Sequence, residues 1–129
     1  MTAASDRPVV LVVDDEPLNR DLLRRVLYRD YRILEAGDAQ AALALIGAGA
    51  VDVMLCDQVM PGLTGTELVR EVRRRAPKVI AMLLTGYEDA PDVMAALVEG
   101  VVDEVVGKPW VPAHLKALLV KALGKPREP

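Results

Sequence analysis

The stretch "VVLVVDDEP", Val9 to Pro17, runs five consecutive apolar residues straight into three carboxylates, Asp14, Asp15 and Glu16. A run this apolar suits a strand covered on both faces, as in a parallel sheet. The acids that follow demand water or a counter-charge. A positive partner at the end of the first strand is implied.

A chain of 129 residues that is 52% hydrophobic fits one domain and can bury a sizeable core. No apolar run approaches the roughly 18 residues of a membrane span, and "MTAASDRP" lacks the apolar region of a signal peptide. A soluble protein of the cytosol, with no membrane partner, is expected. A net charge of -3 offers no electrostatic case for binding nucleic acid or anionic lipid. The run Arg73, Arg74, Arg75 is the local exception, and it reads as a solvated helix end where cations suit the dipole. The single cysteine, Cys56, excludes an internal disulfide and a cysteine-based zinc site. Its apolar neighbours predict a buried, inert thiol.

Two kinds of segment alternate along the chain. Apolar runs at Val9 to Val13, Tyr31 to Leu34, Val51 to Cys56, Val79 to Leu84 and Val101 to Val106 read as strands. Between them lie stretches with helical spacing. In "PLNRDLLRRVLYRD" the residues Leu18, Leu22, Val26 and Leu27 share one face, Arg20, Arg24 and Arg25 point away, and Pro17 suits a first helical position. Similar segments cover Asp38 to Ile46, Thr64 to Arg75, Ala90 to Glu99 and Pro112 to Leu123, with Gly100 and Gly124 where helices should stop. Strand then helix, repeated, predicts an α/β domain with a parallel sheet. The polar, proline-bearing "GKPREP" reads as a tail or the start of a linker.

In an open α/β sheet ligands bind at the carboxyl ends of the strands, where strand order reverses. Those ends carry Asp14 and Asp15 on the first strand, Asp57 on the third, Thr85 on the fourth and Lys108 on the fifth. With the order 2-1-3-4-5, the first and third strands lie about 4.8 Å apart, and three carboxylates crowd one crevice. One must then hold a proton, or a cation must sit among them. Hard oxygen ligands that leave the ion open suit Mg²⁺, which keeps several waters and accepts a phosphate oxygen. Thr85 offers a hydroxyl and Lys108 a mobile point charge, both suited to phosphoryl oxygens. The constellation predicts phosphoryl transfer to an aspartate. Asp57, alone at its strand end, is the candidate nucleophile, which leaves Asp14 and Asp15 for the metal. Each acid or hydroxyl taken singly has an ordinary reading as a cap or turn residue; four matching strand ends outweigh it.

"LVVDDEP", "DVMLCDQVMPGLTGTEL", "LLTG" and "GKPW" together resemble the receiver domains of bacterial two-component response regulators, over Val9 to Leu123. The resemblance implies a flavodoxin-like (βα)5 doubly wound parallel five-stranded sheet, order 2-1-3-4-5, spanning residues 8–124 between tails at 1–7 and 125–129. It implies that Asp57 is the phosphoacceptor and that Thr85 and Lys108 contact the phosphoryl oxygens. Asp15 would bind Mg²⁺ directly, Asp14 mainly through water, and Asp57 and the Val59 backbone carbonyl would complete the protein's ligands. The Lys108–Pro109 bond would be cis. The implied partners are a sensor histidine kinase or histidine phosphotransfer protein, and a C-terminal output domain or downstream protein. A homodimer through the fourth helix, fifth strand and fifth helix is also allowed. Such a domain is a signalling module, whose only chemistry is its own phosphorylation and dephosphorylation.

There are departures from the pattern. The family usually has "MPxMDG" or "MPxMNG" where this chain has "MPGLTG", and Val105 stands where a switch Tyr or Phe is usual. "KPW" also resembles receivers ahead of cyclic-dinucleotide phosphodiesterases. His114, the only histidine, reads as a surface helix residue, Trp110 as packing at a helix entry, and Tyr87 as a loop aromatic at the mouth of the site. Two other classes compete. A degenerate receiver acting only as an interaction module is favoured by Val105 and disfavoured by the full set of strand-end residues. A flavodoxin-like cofactor-binding module would need a Ser/Thr/Gly-rich phosphate cradle after the first strand, and carboxylates stand there instead.

Overall fold

Strand β1 (Val9–Val13) is buried along its whole length and is central in the sheet, with β2 (Arg32–Ala36) paired on one edge and β3 (Val53–Asp57) on the other. β4 (Ile80–Thr85) and β5 (Glu104–Gly107) extend the sheet, which is parallel throughout with order β2-β1-β3-β4-β5. The computed structural model describes residues 7–124. The expected tails, Arg7 apart, lie outside the described residues.

Alternate side chains of each strand feed two cores. Val10, Val12, Val53, Leu55, Met82, Leu84 and Val106 meet Leu23 and Leu27 of α1 (Pro17–Leu27) and Leu115 and Leu119 of α5 (Pro112–Ala122). Leu11, Val13, Met54, Cys56, Ala81 and Leu83 meet α2 (Ala39–Gly47), α3 (Gly65–Arg75) and α4 (Pro91–Val98) on the opposite face. This is the parallel α/β sheet expected from the strand–helix alternation, in the doubly wound, flavodoxin-like order that the resemblance implies. No helix among the described residues is long and apolar enough to cross a membrane.

Three local expectations are corrected. The inner face of α1 is Leu23 and Leu27 with Val26 partly covered, while Leu18 and Leu22 are exposed. Both buried residues lie in the second half of the helix. β5 starts at Glu104 rather than Val101. Gly100 takes a positive φ of 78° to end α4, and the N–H groups of Val101 and Val102 both donate to Ala96 O, so neither residue is free for the ladder. Val102 is buried in the core without being in the sheet.

The third correction concerns Arg73, which is more than a solvated helix end. Its guanidinium donates to Pro77 O at 2.8 Å, Val79 O at 2.6 Å and Val101 O at 2.9 and 3.1 Å. It also reaches Asp103 Oδ2 at 3.0 Å, and that oxygen accepts the Ala81 N–H at 2.8 Å. One side chain thus closes the α3–β4 and α4–β5 connections at the end of the sheet away from Asp57. Arg74 and Arg75 do stay on the surface, paired with Glu71. Replacing Arg73 with alanine strands part-buried carbonyls, so a loss of about 2–3 kcal/mol in urea unfolding is expected. Arg74→Ala should change the midpoint little, and equal effects of the two substitutions would deny Arg73 this role.

Candidate functional site

The carboxyl ends of β1 and β3 meet where the strand order reverses. Val13 pairs with Cys56, and the next residue on each strand is Asp14 and Asp57. Ligand atoms of Asp14, Asp15 and Asp57 all lie within 4.8 Å of one another. Asp14 and Asp57 are buried and Asp15 is exposed. The expected trio therefore converges, with one carboxylate open to solvent.

Each acid is held by backbone geometry. Asp14 N–H continues the β1–β2 ladder to Ala36 O at 3.1 Å, its Oδ1 accepts the Glu16 N–H at 2.9 Å, and its carbonyl accepts Arg20 Nη1 at 2.7 Å. Arg20, with Arg24, also pairs with Glu35 at the end of β2, so the first turn of α1 is pinned against the acidic pair. Asp57 is the last residue of β3 and is only 7% exposed. Burial pushes its carboxyl above the usual carboxylate range, the hydrogen bond and charge of Lys108 oppose that, and Asp14 and Asp15 add to it.

The other two strand ends complete the crevice. Thr85 pairs with Gly107 across β4 and β5, is 2% exposed, and accepts the Tyr87 N–H on its hydroxyl oxygen at 3.0 Å. Lys108 donates its backbone N–H to Thr85 O at 3.0 Å, while Nζ donates to Asp57 Oδ1. The Lys108–Pro109 peptide is cis, as expected. A cleft lined by Asp57, Val59, Thr85, Gly86, Tyr87 and Lys108 opens to the surface. The arrangement presents a buried carboxylate, a hydroxyl, an ammonium and a pair of acids to one small volume. A tetrahedral oxyanion carried on a metal fits that set; a bare phosphate would be repelled by the acids.

Close approach of α3 also shapes the site. A side chain at Gly65 would put its Cβ 2.7 Å from Asp57 O and 2.9 Å from Gln58 Oε1, so glycine is what lets the helix start against the acceptor strand. Thr64, a departure from the family pattern, caps α3. Its hydroxyl accepts the Glu67 N–H at 3.2 Å and Glu67 Oε1 accepts the Thr64 N–H at 2.8 Å. The spacing Thr-x-x-Glu in the sequence is the signal for such a capping box.

Other sequence expectations also have a place. Cys56 is buried, and burial, with Asp57 and Asp14 nearby, pushes its thiol well up, as an inert cysteine requires. His114 is exposed on α5. Trp110 packs partly buried against the α1–α5 core at the helix entry. Tyr87 is exposed at the mouth of the cleft. Val105 is partly buried against the α2–α4 core. Gln58 and Asp92, which no sequence motif singles out, are joined beside the site by a 3.0 Å hydrogen bond.

Residues 10–120 match the response regulator receiver domain family. The chain belongs to this family. Among similar proteins, the hydrogenase transcriptional regulatory protein HoxA of Cupriavidus necator is 46% identical over 82% of this chain and 22% of its own length. The cyclic di-GMP phosphodiesterase response regulator RpfG of Xanthomonas campestris pv. campestris is 36% identical over 84% of this chain and 30% of its own length. The receiver domain thus spans less than a third of either relative. The response regulator TrrA of Thermotoga maritima, solved in complex with Mg²⁺ and BeF, superposes with a TM-score of 0.78 at 32% identity, over 89% of this chain and 98% of that one. A receiver domain is a signalling domain.

Proposed function

We propose that this receiver domain takes a phosphoryl group onto Asp57 from a sensor histidine kinase or a histidine phosphotransfer protein, and relays the change through the α4–β5–α5 side. The observation that carries this reading is the buried Asp57 carboxylate, held by Lys108 and flanked by the Asp14–Asp15 pair. Burial raises the basicity of the Asp57 oxygens, which favours their attack on phosphorus as the bond to the donor imidazole breaks. Lys108 is already on Asp57 and can transfer its hydrogen bond to a phosphoryl oxygen. Thr85 keeps its O–H free to donate, because Tyr87 N–H uses only the oxygen. Mg²⁺ held by Asp14, Asp15, Asp57 and the Val59 carbonyl would offset charge on the phosphoryl oxygens.

Transfer from acetyl phosphate tests the reading. One phosphoryl group per chain is expected with Mg²⁺ and none when the metal is chelated; labelling that survives chelation overturns it. Metal affinity should depend on the two acids unequally. Asp14 already accepts the Glu16 N–H, whereas Asp15 is exposed to solvent. Mg²⁺ titrations read by Trp110 fluorescence should weaken roughly a hundredfold in Asp15→Asn and about tenfold in Asp14→Asn. The reverse order would exchange their roles.

The same reading places the protein in the cytoplasm, as one module of a longer regulator of the HoxA or RpfG kind or as the partner of a separate output protein. Residues 8–124 are the domain boundaries we assign. Exposed Met94, Leu97 and Val98 on α4 and Val120 on α5 supply apolar surface on the side through which output or a homodimer would be contacted. A purely passive module has only Val105 in its favour, and a passive module has no use for the Asp57–Lys108 pairing.

A further inference from the structure

Gln58 follows Asp57 directly, and the chemistry above gives its side chain no task. It is nevertheless 6% exposed, with both polar atoms engaged. Oε1 accepts the Thr66 N–H at 2.8 Å, and Nε2 donates to Thr66 Oγ1 at 3.3 Å and to Asp92 Oδ2 at 3.0 Å. Its backbone N–H donates to Leu84 O at 3.2 Å and its carbonyl accepts the Gly65 N–H at 2.9 Å. One residue thus joins the ends of β3 and β4 to the first turns of α3 and α4.

The two helices differ in how much else holds them. α3 has a capping box and buries Gly65, Thr66, Leu68, Val69 and Val72. α4 has eight residues, buries only Val93 and Ala96, and begins at Ala90 without a side-chain cap. Its Met94, Leu97 and Val98 face outward. A helix with so little buried surface moves at low cost, and one charge-assisted hydrogen bond at its start is a large share of what fixes it.

We infer that the Gln58–Asp92 hydrogen bond is a tether that holds α4 in its resting position, and that phosphoryl uptake on Asp57 releases it. The inference rests on the proposed role of Asp57. The tether starts one residue from that carboxylate, on the strand end whose backbone must adjust when a phosphoryl group enters the cleft. It ends in the first turn of α4, which buries only Val93 and Ala96 and has no side-chain cap. The loop from β4 into this helix is fixed beside the site by Thr85, whose hydroxyl oxygen accepts the Tyr87 N–H at 3.0 Å.

Amide exchange of the 129-residue chain, followed by mass spectrometry, tests this. Asp92 Oδ1 also accepts the Val93 N–H at 2.9 Å, so the readout is residues 94–98, which in unmodified Asp92→Ala are expected to exchange roughly ten- to a hundredfold faster than in wild type, with α1 and α2 unchanged. Asp92 is on the surface, so the substitution leaves the core intact. Asp92→Asn, which keeps an oxygen acceptor for Gln58, should restore the slow rate, and Gln58→Met should match Asp92→Ala in α4 while also loosening the start of α3, where the Thr66 N–H loses its acceptor. Beryllofluoride with Mg²⁺ should speed exchange of the same residues in wild type and add little in Asp92→Ala. Unchanged exchange in Asp92→Ala, or equal acceleration through every helix, would overturn the tether. Acceleration in Asp92→Ala with no response of the wild type to beryllofluoride would overturn its release from Asp57. Intact mass after acetyl phosphate separates the two readings: uptake with α4 indifferent to Asp92→Ala sinks the tether and keeps Asp57, and no uptake with α4 loosened does the reverse.

Discussion

Asp57→Asn is expected to gain no phosphoryl group from acetyl phosphate and Mg²⁺ under conditions in which the wild-type chain gains one, read as intact mass. Three carboxylates share the crevice, so the prediction depends on why the other two do not substitute. Asp14 is engaged by the Glu16 N–H, and Asp15 points to solvent. Asp57 alone has Lys108 on its carboxylate and lines the cleft with Thr85. Uptake falls because an amide oxygen is a far weaker nucleophile than a carboxylate. Thermal melting separates loss of the nucleophile from unfolding. The folded-state pKa of Asp57 is raised, so its protonated form is the one the fold prefers. Its contribution to stability is full below the unfolded carboxylate pKa and is lost as pH rises through the folded value. At neutral pH a neutral asparagine should therefore be at least as stable as wild type by thermal melting, with the difference shrinking in acid. A label that persists in the folded variant would move the acceptor elsewhere.

The strand ends were legible in sequence because a parallel sheet converts order along the chain into position in space. Once five apolar runs alternate with helices, Asp57, Thr85 and Lys108 must emerge on one edge, however far apart they are in the chain. Legibility stopped where position depends on rotation or on contact between elements. Leu18 and Leu22 share a helical stripe with Val26, yet Leu23 and Leu27 are what the sheet covers; periodicity gives a face and leaves its orientation open by a residue. Arg73 reads as one of three like cations, and only the packing of α3 beside the β4 and β5 connections distinguishes it. Gln58 lies within a quoted stretch that gives its side chain no role, and Asp92 lies in none. An amide after a strand is an ordinary turn residue until a carboxylate from another helix is found within 3.0 Å.

The aspartyl phosphate formed on wild type is expected to outlast that on the double variant Val59→Asn with Tyr87→Glu by on the order of tenfold or more. Hydrolysis needs a water in line with the breaking bond, on the open side of the cleft, since the strands close the other side. Val59 and Tyr87 line that opening with Asp57, Thr85, Gly86 and Lys108, and their side chains are 63% and 65% exposed. Neither carries a carboxylate or amide beside the acceptor. A valine cannot hydrogen-bond a water, and the Tyr87 hydroxyl sits at the far end of a solvent-exposed ring. The two substitutions together bring an amide and a carboxylate to the opening, where both would hold the attacking water and the carboxylate would accept its proton. Both positions are exposed, so the double substitution should leave the melting temperature nearly unchanged. The measurement is phosphate release after the donor is removed, with Mg²⁺ in excess. Equal decay in the two proteins would mean that the water is positioned by groups deeper in the crevice, with Thr85 and Lys108 the first to test.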